Sequence, residues 1–454
     1  MSVNKRDGFG SRFGVLVAVA GSAVGLGNLW RFPYLVGNNG GAAFIIMYLA
    51  FVIVLCLPIM FSEFIIGRRT QSNAFGAIKK LAPKSIWLLI GVISVAASIS
   101  IMSFYSVVGG WTIEYIVNSF SSDFLTSNNN LLNSKFNDFV SSPIKPLIQH
   151  LIFLGLSAMI VVAGIKNGIE KYSKILMPGL FVLVLLLAIR SLTLDGASEG
   201  VKFLLYPDFS KLQGDSILAA LGQAFFSLSL GMGCIITYGS YVKKEENLLK
   251  ISLMTAFADT GFAILAGLAV MPAVFAFGIS PSEGPSLVFI TLPQIFAQLP
   301  FGNILSIIFF IILLVAAITS AISLLEVIVA YMTEELKFTR RNAVIISFLI
   351  IGFLGSLSSL SEGVLSDFKI FGKTIFDTFD FMSSNVFLPI GGLLVVLFVG
   401  WKMASKDVKD ELSSGGAIRL NGVLFGGIMF IIKFIAPIAI SVVLLNSLGL
   451  IKIF

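Results

Sequence analysis

Apolar runs near or above the roughly 20 residues needed to cross a bilayer recur along the whole chain, with short polar connectors between them. The first six are Phe13 to Leu35, Ala42 to Ile66, Ile86 to Ile116, Leu147 to Ala163, Tyr172 to Ile189 and Ile217 to Tyr241. Five more follow: Ile251 to Phe277, Ile304 to Tyr331, Ala343 to Leu360, Phe381 to Trp401 and Ile418 to Leu445. The pattern predicts an all-α integral membrane protein with 11 transmembrane helices.

Composition agrees. At 57% hydrophobic and 12% charged residues over 454, with a mean hydropathy of +0.97, there is too little polar surface for a soluble protein. The first run resembles a signal peptide, since Lys5, Arg6 and Arg12 precede it and Ala18, Ala20 and Ala23 lie within it. It continues past Arg31 through Phe32, Pro33, Tyr34 and Leu35, longer than a cleaved apolar region, and is read as a span.

Charge sets orientation. With the N-terminus inside, most of the 31 basic residues fall on one side, among them Arg68, Arg69, Lys166, Lys171, Lys243, Lys244, Arg340, Arg341, Lys402 and Lys406. Residues 1–11 are then a cytoplasmic N-terminus and 447–454 an external C-terminus. The net charge of +7 expresses this bias, so no nucleic-acid partner is implied. Cys56 and Cys234 lie in apolar runs, and His150 is the only histidine. No disulfide, metal centre or catalytic constellation is expected, so the chain is not read as an enzyme.

Two runs are broken by small and polar residues. One is Gly21 to Pro33, with Gly21, Gly25, Gly27, Asn28 and Arg31; the other is Ser227 to Gly233, with Ser227, Ser229, Gly231 and Gly233. Gly21 and Gly25 alone would suggest close helix packing. Two breaks in corresponding places suggest more, because open backbone inside a bilayer costs several kcal/mol per unpaired group unless it lines a cavity or binds something. Paired interruptions point to the site of a secondary transporter built from inverted repeats. Half-helix N-termini suit a carboxylate, and freed carbonyls suit a hard cation such as sodium.

In these residues, and in Asn39 to Phe44, Trp111, Phe225 to Tyr241 and Gly284 to Phe289, the chain resembles bacterial members of the neurotransmitter:sodium symporter family from about Arg6 to its last helix. The resemblance implies a LeuT-type fold with a 5+5 inverted repeat: residues 12–190, residues 214–402, and an additional helix at 417–446. Many members have a twelfth helix. Eleven are expected here, which leaves dimer contacts open, so a monomer or homodimer is expected, embedded in the lipid bilayer of a bacterial inner membrane.

The same resemblance implies sodium-coupled symport of an amino acid by alternating access, with two sodium ions. The first ion falls on Ala23, Asn28, Ser227 and Asp259, completed by the substrate carboxylate. The second falls on Gly21, Val24, Ala316, Thr319 and Ser320, although Thr319 and Ser320 could equally bond back to their own helix. Relatives often carry Asn at the position of Asp259, and chloride-dependent ones a small hydroxyl where this chain has Ala263. Asp259 is therefore expected to supply fixed negative charge and make transport chloride-independent; a neutral, hydrogen-bonded Asp is the alternative.

Substrate contacts are expected from Ser22, Ala23, Gly25, Gly27, Tyr105, Phe226, Ser227 and Ser229, and a side-chain pocket from Ile101, Phe226, Met232, Ser320 and Leu324. Amine carriers place an Asp at the position of Gly25, so that space is expected to be empty and the substrate to bring its own carboxylate. A hydrophobic or aromatic amino acid fits. Ordinary core packing is the other reading of Met232 and Leu324. Gates are expected at Arg31 with Asp380 outside, and at Arg6 with Glu334, supported by Ser240 and Tyr241, inside. Glu63 and Glu326 read as acids bracing helices, with proton coupling possible. A channel would show repeated filter residues instead; a proton-coupled carrier of the same fold would lack the full Thr319 and Ser320 cage.

Overall fold

The computed structural model describes residues 8–121, 124–278, 287–447 and 450–451. Nine described helices are each long and apolar enough to span a membrane unbroken: Ala42–Thr70, Ile86–Ser119, Lys145–Val162, Ile165–Leu192, Leu248–Ala276, Gly302–Glu334, Arg340–Leu360, Ile375–Lys402 and Gly422–Asn446. Two further spans are broken. The first is Arg12–Ala23 followed by Gly27–Asn38, bent by 44°; the sixth is Gly214–Ser227 followed by Cys234–Gly239. Together they make the eleven expected.

Most spans overrun the apolar limits read from the sequence. The third ends at Ser119 rather than Ile116 and the fifth begins at Ile165 rather than Tyr172, because hydrogen-bonded turns continue into the polar boundary where hydropathy stops reporting them. Short helices that hydropathy passes over lie in the connectors, among them Asn129–Val140, Ala197–Leu205 and Ser405–Leu412.

Each break has a local cause. Val24 turns to an extended conformation at φ −74° and ψ 105°, two glycines follow, and Pro33 sits in the first turn of the next helix, where its missing N–H is tolerated. In the sixth span Ser229, Gly231 and Gly233 all take positive φ, at 55°, 77° and 78°. Gly231 also lies against the tenth span, where a Cβ would meet the Leu388 carbonyl oxygen at 2.2 Å; a side chain there meets both a conformational and a steric barrier. The third and eighth spans pack extensively on one another, and the first also packs on the eighth. The expected positions Arg6, Gly284, Pro285 and Ser286, with most of 1–11 and of 447–454, lie outside the described residues.

Candidate functional site

Open backbone at membrane depth needs partners, and here side chains from neighbouring spans supply them. Gly25 N–H donates to Asn28 Oδ1 at 2.9 Å and Leu26 N–H to the Tyr105 hydroxyl at 3.2 Å. The Ser22 carbonyl accepts from Ser229 Oγ at 2.7 Å and Ser320 Oγ at 3.2 Å. Gln223 Nε2 donates to Gly27 O at 2.8 Å, and Ser98 Oγ to Met232 O at 3.1 Å. Gly231 N–H donates to Glu63 Oε1 at 2.7 Å. The breaks are thus held open by the third, second and eighth spans as well as by each other.

Three of the four residues expected around the first ion come together. Asp259 is fully buried; its carboxylate oxygens lie 2.8 and 2.9 Å from Ser227 Oγ, and Asn28 Nδ2 donates to Oδ1 at 2.8 Å. Tyr48, which the sequence reading did not single out, donates its hydroxyl to Asp259 Oδ2 at 3.0 Å. The set is rich in oxygen and carries one carboxylate, which suits a hard cation. For Asn28 to offer oxygen there, its amide must turn over and release Gly25 N–H. Ala23 ends the first half-helix beside the cavity.

Around the expected second position, Thr319 Oγ1 donates to Ala316 O at 2.9 Å and Val24 O at 3.3 Å. A Cβ on Gly21 would lie 3.6 Å from Thr319 Cβ, so four of the five predicted residues adjoin. Ser320 differs: its hydroxyl turns to Ser22 O, toward the cavity.

That cavity lies between the two breaks and is lined by Ser22, Ala23, Gly27, Ile101, Tyr105, Phe226, Ser229, Met232, Ser320 and Leu324. All ten were among the expected substrate residues; Ser227 faces Asp259 instead. Gly25 corrects the sequence reading. No empty space adjoins it, since a Cβ there would sit 2.1 Å from Ser320 Oγ and 3.0 Å from the Tyr105 hydroxyl.

The outer gate is also indirect. Among the described residues Arg31 makes no direct ion pair with Asp380; its Nη1 donates to Ser384 Oγ at 3.3 Å, and that hydroxyl donates to Asp380 Oδ1 at 3.1 Å. The guanidinium stands 4.9 Å over the Phe226 ring, which closes the cavity roof.

On the inner side Arg6 lies outside the described residues. Glu334 accepts from Asn73 N–H at 2.8 Å and Asn73 Nδ2 at 2.9 Å, while Ser240 bonds back to Thr237 O within its own turn. Tyr241 also reaches a second acid: its hydroxyl donates to buried Glu326 Oε1 at 2.8 Å, and Arg340 Nη1 donates to the same oxygen at 3.1 Å. Arg340 Nε donates to Val161 O at 2.8 Å, so the cluster joins the fourth, eighth and ninth spans to the segment just after the sixth. Phe9 packs edge-on against Tyr238 and Tyr241 at 5.8 and 6.2 Å. Glu170 accepts from Gly10 N–H at 2.6 Å and Ser11 Oγ at 2.9 Å, tying the fifth span to the start of the first. The signals for Glu326 and Arg340 were a lone acid in one span and a basic start to the next; nothing local linked them.

The chain matches the sodium:neurotransmitter symporter family over residues 6–138 and 139–452. It belongs to that family. It is 44% identical over 452 residues, with full coverage of both chains, to an uncharacterized sodium-dependent transporter, YhdH, of Bacillus subtilis, and 37% identical over 98% of both chains to one of Haemophilus influenzae. A human sodium- and chloride-dependent GABA transporter 2 is 28% identical over 90% of this chain and 75% of its own. Among solved structures, that of MhsT in complex with L-phenylalanine superposes with a TM-score of 0.91 at 46% identity, covering 97% of this chain and 100% of that one. The family's members are sodium-dependent transporters and not enzymes, and the fold is of the LeuT type.

Proposed function

We propose that this symporter carries a large hydrophobic or aromatic L-amino acid together with two sodium ions, without chloride. The observation that carries the reading is the cavity between the two breaks, whose lining combines apolar Ile101, Phe226, Met232 and Leu324 with the hydroxyls of Ser22, Ser229 and Ser320. MhsT, 46% identical, binds L-phenylalanine. A zwitterion fits such a division: ammonium toward the carbonyls near Ala23, Phe226 and Ser227 and the Ser229 hydroxyl, carboxylate toward first-span amides and Tyr105, side chain against the apolar wall.

One sodium ion falls to Ala23, Asn28, Ser227 and Asp259, the other to Gly21, Val24, Ala316, Thr319 and Ser320. Buried Asp259 supplies the negative charge that removes the need for an anion. The two five-helix repeats, 12–190 and 214–402, rock about this site, with Arg31, Ser384 and Asp380 outside, and Tyr241, Glu334 and Arg6 inside. The N-terminus is cytoplasmic and the membrane a bacterial inner membrane, in keeping with the distribution of Lys and Arg.

The energetics suffice. A tenfold sodium gradient gives about 1.4 kcal/mol per ion and 100 mV about 2.3 kcal/mol per charge, so two ions supply roughly 7 kcal/mol, or ~10⁵-fold accumulation of a zwitterion. The test is uptake of radiolabelled phenylalanine, tryptophan, leucine and glycine into proteoliposomes. Saturable, sodium-gradient-driven uptake of the large substrates is expected; uptake indifferent to sodium, or best for glycine, overturns the proposal.

A further inference from the structure

Lys433 is the twelfth of the 25 residues of the apolar span Gly422–Asn446, and its contact with Trp401 sets it level with the end of the tenth span at Lys402 rather than at mid-bilayer. It forms no ion pair among the described residues. Its position is nonetheless fixed. The ammonium stands 5.7 Å over the Trp401 ring, and Trp401 Nε1 donates to the Lys433 carbonyl at 3.1 Å. The stem passes Gly400, where an added Cβ would meet Lys433 Cγ at 3.2 Å.

The surroundings are apolar, aromatic and exposed. Trp401, Phe430 and Phe434 are 59%, 57% and 43% exposed, and Phe434 packs on both other rings at 5.5 and 5.4 Å. Beyond Trp401 the connecting segment adds exposed Lys402, Lys406, Lys409 and Arg419, none in an ion pair among the described residues. The acids of that segment are already engaged: Asp407 and Asp410 with Arg69, and Glu411 with buried Arg68 at 2.7 Å. The elbow between the tenth and eleventh spans therefore presents uncompensated positive charge beside an exposed aromatic wall.

We propose that this elbow binds the phosphate of an anionic phospholipid, with Lys433 as its principal cation and Lys402 as a second. An acyl chain lies along Phe430 and Phe434. The charge calls for an anion, and the rings call for a hydrocarbon; a phospholipid carries both, whereas free phosphate gains nothing from the aromatic wall. On the topology proposed above, this is the cytoplasmic leaflet.

The full chain, purified in mild detergent and exchanged into mixed phosphatidylglycerol and phosphatidylcholine, is analysed for retained lipid by native mass spectrometry. Lys433→Leu is expected to lower retained phosphatidylglycerol about fivefold, and Lys433→Arg to keep it. Retained phosphatidylcholine should not change, and excess inorganic phosphate should displace no lipid. Equal retention of phosphatidylglycerol by Lys433→Leu overturns the proposal, as does displacement by inorganic phosphate, which would mark a free-anion site. Should Lys433→Leu fail to fold, Lys402→Gln and Trp401→Ala carry the test: both should lower phosphatidylglycerol selectively, and parental retention in both refutes the site.

Discussion

A Cβ placed on Gly25 would lie 2.1 Å from Ser320 Oγ, so the first and eighth spans meet there with no room for a methyl group. Gly25→Ala should raise the KM for the preferred amino acid at least about tenfold, ~1.4 kcal/mol of lost binding. Because the nearest obstruction is the Ser320 hydroxyl, with the Tyr105 hydroxyl farther off at 3.0 Å, adding Ser320→Ala should recover part of the loss. A double variant no better than the single one in proteoliposome uptake would show that the clash is not the cause.

Asp259 receives donors from Asn28, Ser227 and Tyr48. Replacing chloride by gluconate should leave parental uptake unchanged, whereas Asp259→Asn should raise the sodium concentration for half-maximal uptake by about tenfold or more. Tyr48→Phe removes one neutral donor and should cost only about threefold, in line with a single hydrogen bond. Sodium titrations of the three proteins separate charge from positioning.

Ser384 stands between Arg31 and Asp380. Ser384→Ala should weaken substrate affinity about three- to tenfold, the value of one or two hydrogen bonds. Asp380→Ala should do more, since it removes the charge itself. Scintillation-proximity binding reads both; equal effects would argue against a relay.

Glu326 is buried and held by Arg340 and Tyr241. Removing one member of a buried pair costs about 3 kcal/mol or more, because the other charge is left without a partner. Arg340→Ala should therefore lower the melting temperature by several degrees, and Glu326→Gln combined with Arg340→Gln by less. Thermal denaturation in detergent distinguishes them.

Spans were legible in the sequence because lipid demands long apolar runs, and the breaks were legible because lipid penalises open backbone. Ten predicted residues meet in one cavity for that reason: they lie on or face those breaks. What stayed hidden depended on distance in the chain. Nothing near Glu326 announces Arg340 or Tyr241, and nothing near Arg31 announces Ser384 as the bridge to Asp380. The space beside Gly25 was misjudged because a glycine shows what the chain lacks, not what a facing helix has put there.

Ser22 has both lone pairs of its carbonyl occupied by hydroxyls from two other spans. Under the proposed function, an ammonium reaching that oxygen would have to replace those hydroxyls as its donors. On the same reading, the first contest at the site is an exchange of donors at a single peptide oxygen.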